Sequence, residues 1–331
     1  MSTPLRIGLI GGGKHGLRYA RHIVDDVPET TLVALCRRDR AEGERAAAAF
    51  GCAWIDDFRR LIDDPRIDAV VAAVPPWLNV AIVEAAIHAG KPLLIEKPLG
   101  ASLAEARRIR DLVAERDLPC MVAHTLRFNG VVRALRAHLG EIAPLQTMCL
   151  SQRFEPSVLP WLDRRAEAGG GIALHTGVHS FDLLYHLSGH EVGQVWGMID
   201  QRFTRETEDM FSLLFRLRGA PVHGVVAGSR TTLGRNGLIE LAGERGQLVG
   251  DHVHGLAYLL RGRQRAEIPV ERDVPTVRET VQAFVTALRA GAPFPITVDD
   301  GLRAVAVADA CYRSAALGRP VEVESEVRSR R

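Results

Sequence analysis

In the first third of the chain, apolar residues concentrate in short runs at 5–10, 31–36, 53–55, 67–74, 93–95 and 119–123. Glycine, proline or polar residues bound each run, which reads as a buried strand. Between them, residues 17–24, 41–50, 80–89 and 103–115 space their apolar positions as a helix does, and 131–139 follows the last strand in the same way. Strands alternating with helices predict a parallel, doubly wound sheet. The rhythm changes after Gly140. Residues 145–154 alternate like a half-buried strand, and 172–187 read as one helix. From 192 to about 268 short runs (210–217, 222–227, 238–242) are punctuated by glycine and turn residues, which predicts an open, mostly antiparallel sheet with one face covered. Helices over 277–290 and 299–316 close the chain, and the charged tail 326–331 is expected to fray. The expected organisation is an α/β domain over residues 1–124 and an α+β domain over 125–331, in keeping with a length of 331 residues.

The first strand runs into Gly11-Gly12-Gly13-Lys14-His15-Gly16 and then a helix. Strand, glycine loop and helix is the context in which G-x-G-x-x-G binds a dinucleotide: one glycine for the turn, one for close approach of the pyrophosphate, one for helix–strand packing. A simple glycine-rich turn is the competing reading. About 20 residues on, where an acid would read a ribose 2′-hydroxyl, stand Cys36-Arg37-Arg38. Guanidiniums favour a 2′-phosphate, so NADP is expected over NAD. The competing readings are that Arg37 and Arg38 are solvated, or that Asp39 turns inward and restores NAD use. The other strand ends carry Pro75, Trp77 and Asn79, then Glu96 and Lys97, then His124 and Arg127. Ligands of open α/β sheets bind at this carboxyl edge.

Lys97 stands out by composition. Of 42 basic residues only Lys14, Lys91 and Lys97 are lysines. An amine can lose its proton at accessible pH and a guanidinium cannot, so Lys97 reads as an acid/base group; the plain alternative is a strand-end lysine reaching solvent. In the second half, His175 and His179 are four residues apart and share a helix face, a stripe continued by Asp182 and His186. Zinc ligation by these residues is an alternative to proton transfer. Trp161, His124 and Arg127 are candidate substrate contacts.

Composition narrows the partners. A net charge of +2 with arginines spread along the chain gives no nucleic-acid footprint, and no apolar run is long enough to span a bilayer. The residues after Met1 contain no signal-peptide core. Five scattered cysteines form neither a disulfide framework nor a metal spacing, so free thiols in a reducing cytoplasm are expected.

The glycine loop, Gly90-Lys91-Pro92 leading to Glu96-Lys97-Pro98, Arg127-Phe128-Asn129, the triplet Gly169-Gly170-Gly171 before Gly177-Val178-His179 and Asp182, and the stretches Asp300-Gly301-Leu302 and Gly318-Arg319-Pro320-Val321 together resemble the Gfo/Idh/MocA oxidoreductases over nearly the whole length. The resemblance implies an N-terminal Rossmann domain and a C-terminal α/β domain whose open sheet makes the contacts of a homodimer or homotetramer. It implies NADP or NAD, and hydride transfer to or from a sugar, polyol or sugar-derivative hydroxyl or carbonyl. Lys97 matches the family's lysine and His179 its histidine. His175 stands where the family has an aspartate, which leaves the substrate and the direction of turnover open. The family also holds regulatory and non-redox nucleotide-binding members, the alternative to a dehydrogenase.

Overall fold

The computed structural model describes residues 3–157 and 159–325; the tail 326–331 lies outside the described residues. The chain divides into two compact units. The first comprises residues 3–100, 104–125 and 275–301. Its strands are β1 (Leu5–Ile10), β2 (Thr30–Cys36), β3 (Ala53–Ile55), β4 (Ala69–Ala72), β5 (Leu93–Glu96) and β6 (Cys120–Ala123), connected through α1 (Gly16–Arg21), α2 (Arg40–Ala49), α3 (Phe58–Ile62), α4 (Asn79–Ala89) and α5 (Leu103–Arg116). All pair in parallel in the order β3-β2-β1-β4-β5-β6. Every residue of β4 and of β5 is buried, which is why these strands read as unbroken apolar runs instead of alternating ones. Helix ends follow local chemistry: the Asp39 carboxylate accepts the Glu42 N–H at the start of α2, and Gly90, at φ +63°, closes α4 in the left-handed region. The strand order reverses between β1 and β4, so the carboxyl ends of these two strands flank a crevice.

The second unit comprises residues 101–103, 126–274 and 302–325. It contains α6 (Gly130–Ile142), β7 (Leu145–Arg153), α7 (Arg165–Ala168), α8 (Val178–Ser188), β8 (Val192–Asp200), β9 (Met210–Leu217), β10 (His223–Ser229), β11 (Asn236–Gly243), β12 (Gly246–Asp251), β13 (Leu256–Arg261), β14 (Gln264–Glu267) and, after two further helices, β15 (Val321–Glu322). Its nine strands run β14-β13-β12-β11-β7-β10-β9-β8-β15, antiparallel except for β7 beside β10. Phe211, Leu213, Phe215 and Leu217 of β9 point into the core beneath the sheet, whereas Leu214, Trp196 and Met198 lie exposed on its other face. α6 packs on β12 and β13, and α8 on β7.

Two expectations are revised. The helix expected over 172–187 opens as a π-helical turn, Ala173–Gly177, before α8 begins at Val178. A single wide turn leaves no periodic signal in so short a stretch. The linear division after residue 124 describes only the chain's first departure. α9 (Thr276–Ala290) returns to the first unit, where Arg289 donates to the carbonyls of Thr3 and Glu29 at 2.7 and 3.1 Å. α10 (Val298–Leu317) then carries the chain back into the second unit.

Candidate active site

The glycine loop is shaped by close approach. Gly11 has φ +110°, and a Cβ there would lie 2.2 Å from the Ala73 carbonyl oxygen. A Cβ on Gly16 would lie 1.7 Å from the Gly11 carbonyl oxygen, so α1 can start against the strand end only with glycine. Around Gly13 the space is open, with nothing within 4 Å of a Cβ position. A loop of bare backbone with an open middle fits a pyrophosphate. Lys14 is exposed beside it.

Arg37 lies across this loop, its Nη1 donating to the Gly12 carbonyl at 2.5 Å and its Nη2 3.3 Å from Glu42. Arg38 is exposed, and the Asp39 carboxylate is occupied by the α2 cap. At the end of β4, Pro75 is half-buried and Trp77 exposed. Asn79 is buried, and its side-chain amide donates to the carbonyls of Pro98 and Leu99, both at 3.1 Å, fixing the turn that follows Lys97.

Glu96 is the hub of this end of the sheet. It is 6% exposed, and its Oε1 accepts from the Tyr19 hydroxyl and the His15 Nε2, each at 2.6 Å. Its Oε2 accepts the Lys97 N–H at 3.0 Å. Burial pushes this carboxyl up, but the charge and hydrogen bond of His15, the charge of Lys97 and the Tyr19 hydroxyl outweigh it and hold the group below the usual carboxylate range. Burial and the neighbouring Glu96 charge push the Tyr19 phenol well above its ordinary value. The three lysines have separate fates: Lys14 is on the glycine loop, Lys91 donates to the backbone carbonyls of Ile67 and Asp64, and Lys97 stands half-buried at the end of β5. His124, at the end of β6, is 1% exposed.

In the second unit, the π-turn carries His175, which is buried. Its Nε2 is 2.8 Å from the Ala168 carbonyl, and its ring meets Trp161 edge-on at 5.2 Å. A carbonyl only accepts, so Nε2 carries a proton toward it. Thr176 accepts from Arg230 Nη2 at 2.8 Å. His179, half-buried, follows in the first turn of α8, and His186 is half-buried two turns later. Asp182 is taken by Arg127, whose Nε and Nη2 reach its two oxygens at 2.8 and 2.5 Å. Among the described residues no group of three His, Cys, Asp or Glu is placed to hold a metal ion.

Sequence reasoning passed over Tyr19, Glu208, Tyr312 and Arg230. Tyr19 reads as an apolar helix position, and its partner Glu96 lies 77 residues away. Glu208 sits in a polar stretch without periodicity, and only the fold places it against the glycine triplet and Tyr312. The five cysteines are free; burial pushes the thiols of Cys36, Cys120 and Cys311 up to about 12, so these are not nucleophiles near neutrality. Among the described residues no helix is long and apolar enough to cross a membrane.

Residues 5–124 match the model of an oxidoreductase family with an NAD-binding Rossmann fold, and residues 132–249 match the GFO/IDH/MocA C-terminal domain. The chain is 30% identical over 309 residues to a dTDP-3,4-didehydro-2,6-dideoxy-alpha-D-glucose 3-reductase of Saccharopolyspora spinosa, covering 88% of this chain and 90% of that one. It is 26% identical over 336 residues to an inositol 2-dehydrogenase of Rhizobium meliloti, covering 96% and 99%. In fold it is similar to a levoglucosan dehydrogenase solved with NADH and L-sorbose (TM-score 0.89, 23% identity, 98% and 100% covered) and to an oxidoreductase domain protein from Kribbella flavida (TM-score 0.89, 23% identity, 98% and 100% covered). A bare-backbone glycine loop, a half-buried lysine at the end of the fifth strand and both matching domain models lead to one conclusion: this chain belongs to the Gfo/Idh/MocA family of oxidoreductases.

Proposed function

We propose that the enzyme transfers a hydride between a nicotinamide cofactor and a hydroxyl or carbonyl carbon of a sugar, polyol or sugar derivative, with Lys97 and His179 moving the proton and His175 assisting. The observation that carries this reading is positional. The glycine loop follows β1 and Lys97 follows β5, and only β4 lies between these strands. Two strand spacings, roughly 10 Å, separate them along the same edge of the sheet. Gly11, Gly12, Gly13 and Gly16 would hold the pyrophosphate, with Lys14 and His15 at the rim and Pro75, Trp77 and Glu96 nearer the ring. The nicotinamide, when bound, supplies or accepts the hydride.

The chain's own part is proton handling and placement. An alcohol losing its hydride must also lose its hydroxyl proton, and an amine or imidazole in reach contributes about 10²–10⁴-fold. Lys97, its backbone N–H fixed by Glu96, is assigned that task together with His179. His175, with Nε2 engaged by Ala168, is assigned to assist them. Trp161 packs against His175 and is assigned to the sugar face. His124 and Arg127 have little surface to offer a substrate, and Arg127 serves Asp182.

NADP is the favoured cofactor: Arg38 is the exposed guanidinium beyond β2, and Asp39 is occupied elsewhere. Relatives in fold include both a levoglucosan dehydrogenase with NADH and a protein described as a putative NADPH-dependent oxidoreductase, so NAD is the second reading. Names of relatives, inositol dehydrogenases and a dideoxyhexose reductase, support a polyol or sugar substrate. We assign the exposed sheet face around Trp196, Met198 (70% exposed) and Leu214 to a homodimer or homotetramer contact, and the free thiols favour the cytoplasm. The test is to titrate NADP and NAD by fluorescence, then follow their reduction or oxidation across a panel of polyols and keto sugars. Tight cofactor binding without turnover on any of them would favour a regulatory or non-redox role.

A further inference from the structure

We propose that Glu208 is a positioning residue: with Tyr312 it holds the π-turn in the form that presents His175 and His179. The inference rests on the reading that these two histidines serve the reaction, and it concerns how they are held.

Glu208 is buried in the loop just before β9, far in sequence from the turn it contacts. Its Oε2 accepts the Gly171 N–H at 2.9 Å, and its Oε1 accepts the Ala173 N–H at 3.0 Å. Its backbone carbonyl accepts the Ile172 N–H between them at 2.9 Å. Three consecutive amides that open the turn are thereby engaged by one residue. Tyr312 of α10 adds its hydroxyl to Oε1 at 2.8 Å, completing the acceptor set of that oxygen.

The glycine triplet is the sequence-level trace of this clamp. A Cβ on Gly171 would lie 1.8 Å from the Glu208 carbonyl oxygen and 2.7 Å from its carboxyl carbon. One on Gly170 would lie 2.2 Å from the Tyr312 hydroxyl. Glycine is needed at both places because a carboxylate and a phenol occupy the space a side chain would fill. Beyond the clamp, the next residues are the functional ones. Ala173 begins the π-turn, His175 donates across to Ala168, Thr176 is held by Arg230, and His179 follows at the start of α8. A π-turn is an unstable form of helix that needs outside support, and π-turns recur at functional sites. The carboxylate supplies that support by satisfying amides that the first turn of a helix leaves open.

The experiment uses the full-length protein with NADPH as the probe and needs no identified substrate. The imidazole carbon–proton signals of the 12 histidines are assigned by NMR in the parent and in Glu208→Gln. Glutamine keeps the size but turns an NH2 toward a backbone N–H, a donor against a donor. The expected result is displaced signals for His175 and His179, the other histidines in place, and an unchanged NADPH dissociation constant. Tyr312→Phe, which removes one donor and leaves the amides bonded, is expected to displace the same two signals by less. It also serves as the test if Glu208→Gln does not fold. Unmoved His175 and His179 signals in a folded variant would overturn the assignment. So would a general displacement of all histidine signals with loss of NADPH binding, because that is the mark of a residue supporting stability alone. Failure of the acid/base reading would show separately, as turnover that survives Lys97→Ala and His179→Gln.

Discussion

Replacing Asp182 by alanine breaks a buried ion pair between the turn after β6 and the face of α8, and its cost can be worked from the geometry. The Arg127 guanidinium meets the carboxylate in a two-pronged arrangement at 2.8 and 2.5 Å, with side chains 9% and 2% exposed. Such a pair is far from the exposed ion pairs that contribute about 0–1 kcal/mol. Removing one partner strands a charge in low dielectric and costs about 3–5 kcal/mol. For a unit of this size each kcal/mol corresponds to roughly 2–4 °C in Tm, so a drop of about 6–20 °C is expected in calorimetry. The double variant Asp182→Ala/Arg127→Met removes both charges and refills the space with an apolar side chain. It should recover most of the loss, giving a coupling energy of about 2 kcal/mol or more. NADPH binding, which draws on the first unit, should be unchanged. A loss under about 1 kcal/mol for Asp182→Ala, or a double variant whose loss equals the sum of the two singles, would show that the pair behaves as a solvated one and would refute the reasoning.

Lys97→Ala should leave NADPH affinity in place and lower turnover on the best polyol or keto sugar by about 10²–10⁴-fold; normal turnover would remove Lys97 from the reaction. Arg38→Ala should weaken NADPH by about 10–100-fold, the worth of charged hydrogen bonds of about 1.5–3 kcal/mol, and leave NADH alone, as read by fluorescence titration. Equal losses for both cofactors would contradict a 2′-phosphate role. The Glu96 carboxyl is lowered in the fold, against burial, chiefly through His15, so its contribution to stability is fully present above its unfolded value of about 4.3 and is lost as pH falls below that through the folded value. Urea titrations from pH 6 to pH 3 should show this loss in the parent and a flatter profile in Glu96→Gln. A Gly16→Ala change puts a methyl 1.7 Å from the Gly11 carbonyl, so the loop must move and NADPH binding should be lost in a fluorescence titration.

Local pattern was enough for most of the elements. β1 and β3 occupy the residues expected of them, and α2, α4 and α9 begin or end within a residue of expectation, because short-range sterics, capping and the periodicity of burial are all written within a few neighbouring residues. The glycine loop and Lys97 were legible for the same reason: each is a strand end marked by its own neighbours. What the chain alone did not reveal depends on encounters at long range. Glu96 meets Tyr19 and His15 across 77 and 81 residues, Asp182 meets Arg127 across 55, and Glu208 meets Tyr312 across 104. No periodicity links such pairs: Glu96, His15, Arg127 and Asp182 stand out singly in the sequence, but nothing in it says which of them meet. The return of 275–301 to the first unit and the opening of α8 by a π-turn belong to the same class, since packing and buried hydrogen bonds decide them. So does the setting of His175: the sequence shows the histidine, and only the fold shows that its Nε2 meets the Ala168 carbonyl.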